Sequence, residues 1–84
     1  MANDDEVRWS IVVYMKMGFK LQFFFGDNQG AKSMAHEQAR MTLERGTYVD
    51  DDRGIRTYYP ASWVDKVKVI PPGVTLNSTG VEFV

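Results

Sequence analysis

The sequence predicts an α+β domain: a mostly antiparallel sheet of four or five strands with one helix packed on a single face. Three observations carry this. Apolar and polar residues alternate in several short stretches, which is the period of a strand. One stretch, from about Gln29 to Arg45, changes to a helical period. Glycine and proline punctuate the joins between them. The resulting order is β-β-α-β-β-β. It also matches the β-grasp arrangement at the level of element order, which stands as the second-ranked topology.

The elements follow in turn. From Arg8 to Met17, Trp9, Ile11, Val13 and Met15 point one way, and Ser10, Val12, Tyr14 and Lys16 the other. Both sets are fairly apolar, so this strand belongs in the middle of its sheet. A second strand runs from Lys20 to Phe25. A three-residue turn at Met17-Gly18-Phe19 places Leu21, Phe23 and Phe25 on the same face as Ile11, Val13 and Met15, whereas a two-residue turn mixes the faces. Asp27 and Asn28 offer N-caps to the helix, and Gly46 its C-terminal stop. Ala31, Met34, Ala35, Gln38, Ala39, Thr42 and Leu43 form one broad helical face. Ser33, His36, Glu37, Arg40 and Glu44 lie opposite. Small alanines let a helix lie close on a sheet rich in phenylalanine.

Thr47–Asp50 and Ile55–Tyr59 read as a hairpin around Asp51-Asp52-Arg53-Gly54. Pro60-Ala61-Ser62-Trp63 reads as a 3₁₀ turn. Asp65–Ile70 alternates again and stops at Pro71-Pro72-Gly73. Residues 1–6 are expected to be a disordered acidic tail, residues 7–72 a single domain, and residues 73–84 a tail or a closing strand.

Composition narrows the chemistry. The chain has 84 residues and no cysteine, so it has no disulfide and no thiolate nucleophile. His36 is its single histidine, which removes any His–His metal pair. The acidic start has no apolar run behind a basic stretch, unlike a signal peptide. The apolar run at Ile11–Met15 is far shorter than the roughly 20 residues of a membrane span. A cytoplasmic protein is the expectation. The net charge of −1 is unevenly spread: residues 1–6 carry −3, which leaves the remainder at +2.

The run Tyr58-Tyr59-Pro60-Ala61-Ser62-Trp63-Val64, followed by Lys66-Val67-Lys68-Val69, resembles the ends of short, uncharacterised β-rich proteins encoded by bacteriophages. The resemblance implies a phage accessory protein acting on a host factor, and implies no site.

The alternation singles out one surface. If Ile11, Val13, Met15, Leu21, Phe23, Phe25, Ile55, Tyr59, Val67 and Val69 face the helix, then Val12, Tyr14, Lys16, Lys20, Gln22, Phe24, Arg56, Tyr58, Lys66 and Lys68 face away. That second set holds five cations and no acid. Tyr14, Lys16, Lys20, Phe24, Arg56, Tyr58, Lys66 and Lys68 are therefore the candidate binding residues. Packing or self-association ranks first for such a face, because Lys, Arg and Tyr are also ordinary solvent-side strand residues. A single protein partner ranks second. Single-stranded nucleic acid or a phosphorylated ligand ranks third: cations interleaved with aromatics suit base stacking, but no RNP-type motif is present.

Other constellations point to structure. Asp50-Asp51-Asp52 does not fit an EF-hand, since Gly54 stands fifth from Asp50 and Ala61 twelfth. It reads as a solvated turn. Gly26-Asp27-Asn28-Gln29-Gly30 lacks the Gly-Lys-Ser/Thr ending of a phosphate loop. No serine has a nucleophile elbow or partner base. The expected function is a small non-enzymatic protein-interaction module without cofactor or metal. It either forms a homo-oligomer or binds one protein partner.

Overall fold

A computed structural model describes residues 7–74. The acidic tail expected at 1–6, and all but residues 73 and 74 of the tail or closing strand expected at 73–84, lie outside the described residues. The element order is β1 (Ser10–Met15), β2 (Lys20–Phe24), α1 (Gln29–Arg45), β3 (Thr47–Asp50), β4 (Arg56–Tyr59), a 3₁₀ turn (Ala61–Trp63) and β5 (Val64–Ile70). The α+β class and the order agree with the sequence reading.

The strands divide between two antiparallel sheets. One has three strands in the order β2-β1-β5, and the other is the two-stranded ribbon β3-β4. β1 is central, as its two apolar faces require. Its partner β2 places Ile11 opposite Phe23 and Val13 opposite Leu21. This puts the expected residues on a shared face, but the three-residue turn is Lys16-Met17-Gly18, one position earlier than expected. Met15 N–H donates to Phe19 O at 2.9 Å and closes it. Met17 and Phe19 are thereby left outside the sheet core.

On the other side of β1, Ile11 pairs with Val69 and Val13 with Val67, but Met15 pairs with Val64. The register shift skips Asp65. Without that bulge, strict alternation would carry Asp65 to the core side; with it, Val64 takes the place, and the carboxylate stays in solvent.

The core is built from Ile11, Val13, Met15, Ala35, Ala39 and Val64, with Leu21, Phe23, Phe25, Tyr59, Val67 and Val69 packed around it. Asn28 caps α1, its side chain accepting from Ala31 N–H at 2.8 Å. The buried stripe of the helix is Ala31, Ala35, Ala39 and Thr42. It is narrower than the predicted face. Met34 and Leu43, expected on that face, are exposed at its margins, because small side chains bring the helix so close that only its centre line meets the sheet.

Gly46 ends the helix. Its N–H donates to Thr42 O at 2.8 Å, and its φ of 89° lies in the left-handed region. A Cβ there would sit 2.1 Å from Tyr59 O and 2.8 Å from Ala61 N. The helix end is thus clamped directly against the segment joining β4 to the 3₁₀ turn.

Two substitutions test this packing. Gly46→Ala should destabilise the domain by about 2–4 kcal/mol in chemical unfolding, from the backbone strain and the overlap together. Thr42 is fully buried, and its hydroxyl has no hydrogen-bond partner among the described residues. Thr42→Val keeps the shape and removes the orphan hydroxyl, so the unfolding midpoint should rise, by about 1 kcal/mol of stability. A fall in the midpoint would show that the hydroxyl is bonded in the folded protein.

Candidate functional site

Alternation along β1, β2 and β5 creates a face turned away from the helix. The registers order it in three cross-strand rows: Lys20–Tyr14–Lys66, Gln22–Val12–Lys68 and Phe24–Ser10–Ile70. No acid belongs to these rows. The Tyr14 ring is the focus, with Lys20 Nζ at 5.9 Å, Lys66 Nζ at 5.1 Å and Lys68 Nζ at 5.7 Å from its centroid. Arg8 stacks over Phe24 at 4.7 Å. Each such contact supplies about 0.5–1 kcal/mol at an exposed site. Together they gather positive charge around aromatic carbon, an arrangement suited to carboxylate or phosphate.

Five of the eight predicted residues, Tyr14, Lys20, Phe24, Lys66 and Lys68, therefore share one face. The other three do not join it. Lys16 stands in the hairpin turn, outside β1. Arg56 and Tyr58 belong to the ribbon, because β5 rather than β4 takes the second edge of β1. The face also differs from a plain solvent surface. Val12, expected on the face away from the helix, is fully buried, and Ser10 and Ile70 on these rows are buried too. Gln22 Nε2 donates to Ser10 Oγ at 3.3 Å across the strands.

The ribbon has its own chemistry. Tyr48 and Tyr58 face each other across the strands, 5.8 Å between ring centroids. The Arg56 guanidinium lies 4.0 Å over Tyr48. It also donates to both oxygens of Asp50, at 2.7 and 3.1 Å. Arg56, predicted as one cation of an acid-free face, is thus neutralised by its cross-strand partner. Its hydrogen bond holds the Asp50 carboxyl below the usual aspartate range, and Arg56 is held more firmly protonated in return. Ile55, expected to face the helix, is exposed beyond the end of β4. Asp51 Oδ1 accepts from its N–H at 3.0 Å and from Arg53 N–H at 2.9 Å, so the carboxylate organises the turn. These bonds, Ile55 N–H first and the Arg53 side chain next, lower the Asp51 carboxyl as well.

Among the described residues, no three His, Cys, Asp or Glu side chains converge as metal ligands. His36 is exposed on the helix, its ring 6.0 Å from that of Trp9. Arg40 on the same helix face is bound by Glu37 and Glu44. No helix of the described residues is long and apolar enough to cross a membrane.

A second surface escaped the sequence reading. At the turn end of the three-stranded sheet, Phe19 meets Tyr59 edge-on at 5.6 Å, and Tyr59 meets Trp63 at 6.2 Å. Lys16 N–H donates to Trp63 O at 2.8 Å and ties the hairpin turn to the 3₁₀ turn. Met17 and Trp63 line a shallow cavity of about 280 Å³ with Lys16 and Ser62. The available signal was a pair of large apolar residues flanking the turn glycine Gly18, where polar residues usually stand.

Compared with protein-family models, with curated proteins and with solved structures, the chain matches none. The geometry alone therefore bears on function.

The ribbon carboxylates make a prediction about pH. Lowered values in the folded state mean that Asp50 and Asp51 contribute stability above about pH 4, which is lost as the pH falls through those values. Carboxyl-carbon NMR should find both titrating below an ordinary aspartate. Either one titrating at or above the ordinary value would contradict the bonds to Arg56 and Ile55.

Proposed function

We propose that this chain is a small non-enzymatic protein-interaction module that associates with a second copy of itself. The observation that carries this reading is the continuous strip of Met17, Phe19, Tyr59 and Trp63. Met17 is 56% exposed, Trp63 44% and Phe19 38%. Grouped aromatic and methionine side chains in solvent mark protein interfaces, whereas single exposed apolar residues do not. The strip is also held rigidly, by the Lys16–Trp63 main-chain bond and by the ring contacts, so little ordering entropy remains to be lost on binding.

A second copy fits this strip better than a charged partner does. Lys16 at its rim is the strip's sole charged neighbour among the residues of that cavity. Where charge borders the strip at Phe19, both signs are present, Lys20 and Lys66 beside Asp65, which a second copy can match across a two-fold axis while the apolar side chains meet one another. The first of the basic rows adjoins the strip at Phe19, which shares a cavity with Tyr14, Lys20 and Lys66, and the other two rows lie farther along the strands.

Sedimentation equilibrium from micromolar to millimolar protein checks the proposal. The mass should rise toward a dimer, and Trp63→Ser should weaken association at least about tenfold, the loss expected for a central aromatic anchor. A strict monomer across the whole range would sink the reading.

A further inference from the structure

A different place in the molecule has the form of a strand-sized opening. Met15 N–H donates to Phe19 O, and Phe25 N–H donates to Trp9 O. By the alternation of an antiparallel ladder, the odd-numbered residues of β2 bond to β1, and Lys20, Gln22 and Phe24 direct their main-chain N–H and C=O groups outward. No main-chain bond from another described residue meets them. On the ribbon, Asp51 N–H donates to Ile55 O, so the same rule turns the main chain of Tyr48 away from β4. Between these two edges lies a cavity of about 280 Å³ lined by Phe23, Phe24, Phe25, Gln38, Thr47 and Tyr48. It is walled by β2, the residue following it, α1 and β3, and by no residue of β4.

We infer that this opening receives an extended peptide, which adds as a strand to the edge of β2 with β3 as its far wall. Main-chain groups at Lys20, Gln22 and Phe24 supply the recognition, as in other cases of strand addition. Side chains of an added strand alternate between the two faces of the sheet. Those turned toward the helix enter the space beside Phe23, Phe25 and Gln38, which takes apolar groups. Those turned the other way lie beside the exposed Lys20. The flanking charge on that side is positive. The occupant is therefore a segment that alternates apolar and acidic residues. This inference is independent of the self-association proposed above, which uses the opposite end of the hairpin.

The probe is a blocked eight-residue peptide of alternating valine and glutamate, added to the full chain and followed by amide hydrogen exchange. The Gln22 and Phe24 amides should exchange at least about tenfold more slowly with peptide. N-methylation of alternate peptide nitrogens should abolish the effect, and replacing glutamate by lysine should weaken binding at least about tenfold. Gln22→Pro should do the same, because it removes an outward N–H while leaving the β1 ladder intact. The inference is overturned if these amides are unaffected at millimolar peptide, or if the N-methylated peptide binds equally well. It is also overturned if raising the concentration of the chain alone protects the same amides, since a second copy then occupies the edge.

Discussion

Everything in this domain depends on β1 being paired along both edges and buried on both faces. Ile11, Val12 and Val13 are consecutive and fully buried. A strand in that state loses its polar backbone to neighbours on either side, and every main-chain group must be satisfied by them. β2 supplies one side through a tight turn, at small entropic cost. β5 supplies the other only after the helix and the ribbon have been traversed, so the long closure is compensated by a ladder of six residue pairs. The helix then lies across β1 and β5 on an alanine stripe, and Gly46 sets how it departs.

The same constraint separates the ribbon from the main sheet. Once β5 occupies the second edge of β1, β3 and β4 have only each other. Four-residue strands cannot bury two faces, and an isolated ribbon is weak. Its side chains compensate locally: Tyr48 against Tyr58, Asp50 against Arg56, and Asp51 across the turn. Thr47 and Val49 are half-buried, as is Tyr59, which packs on the core. The ribbon is thus anchored by one face while its tyrosines remain in solvent, with Tyr58 70% exposed.

Charge follows topology in this chain. The near-neutral total resolves into a basic face centred on Tyr14, a ribbon whose Arg56 is cancelled by Asp50, and a helix whose Arg40 is shared by two glutamates. Among the apolar groups that reach solvent, Met17, Phe19 and Trp63 gather at the hairpin turn and the 3₁₀ turn. The sheet face is thus cationic and the turn end aromatic, and the two adjoin at Phe19, which shares a cavity with Tyr14, Lys20 and Lys66.

Much of this was legible in the residues alone. Period-two alternation identified the strands, the helix bounds followed from Asn28 and Gly46, and the shared face of β1 and β2 followed from parity, because moving a three-residue turn by one position leaves parity unchanged. Those features are set by neighbours close in sequence. The partition of five strands into two sheets, the bulge that keeps Asp65 in solvent and the separation of Arg56 and Tyr58 from Tyr14 were not legible. Each depends on which strand reaches the free edge of β1 first in space. That competition is decided by long-range packing, since β4 and β5 carry similar alternation and sequence period has no term for the sheet they join. The exposed Met17, Phe19 and Trp63 became one surface for the same reason. Trp63 is far along the chain from Met17 and Phe19, and only the closure of β5 onto β1 brings the two turns together.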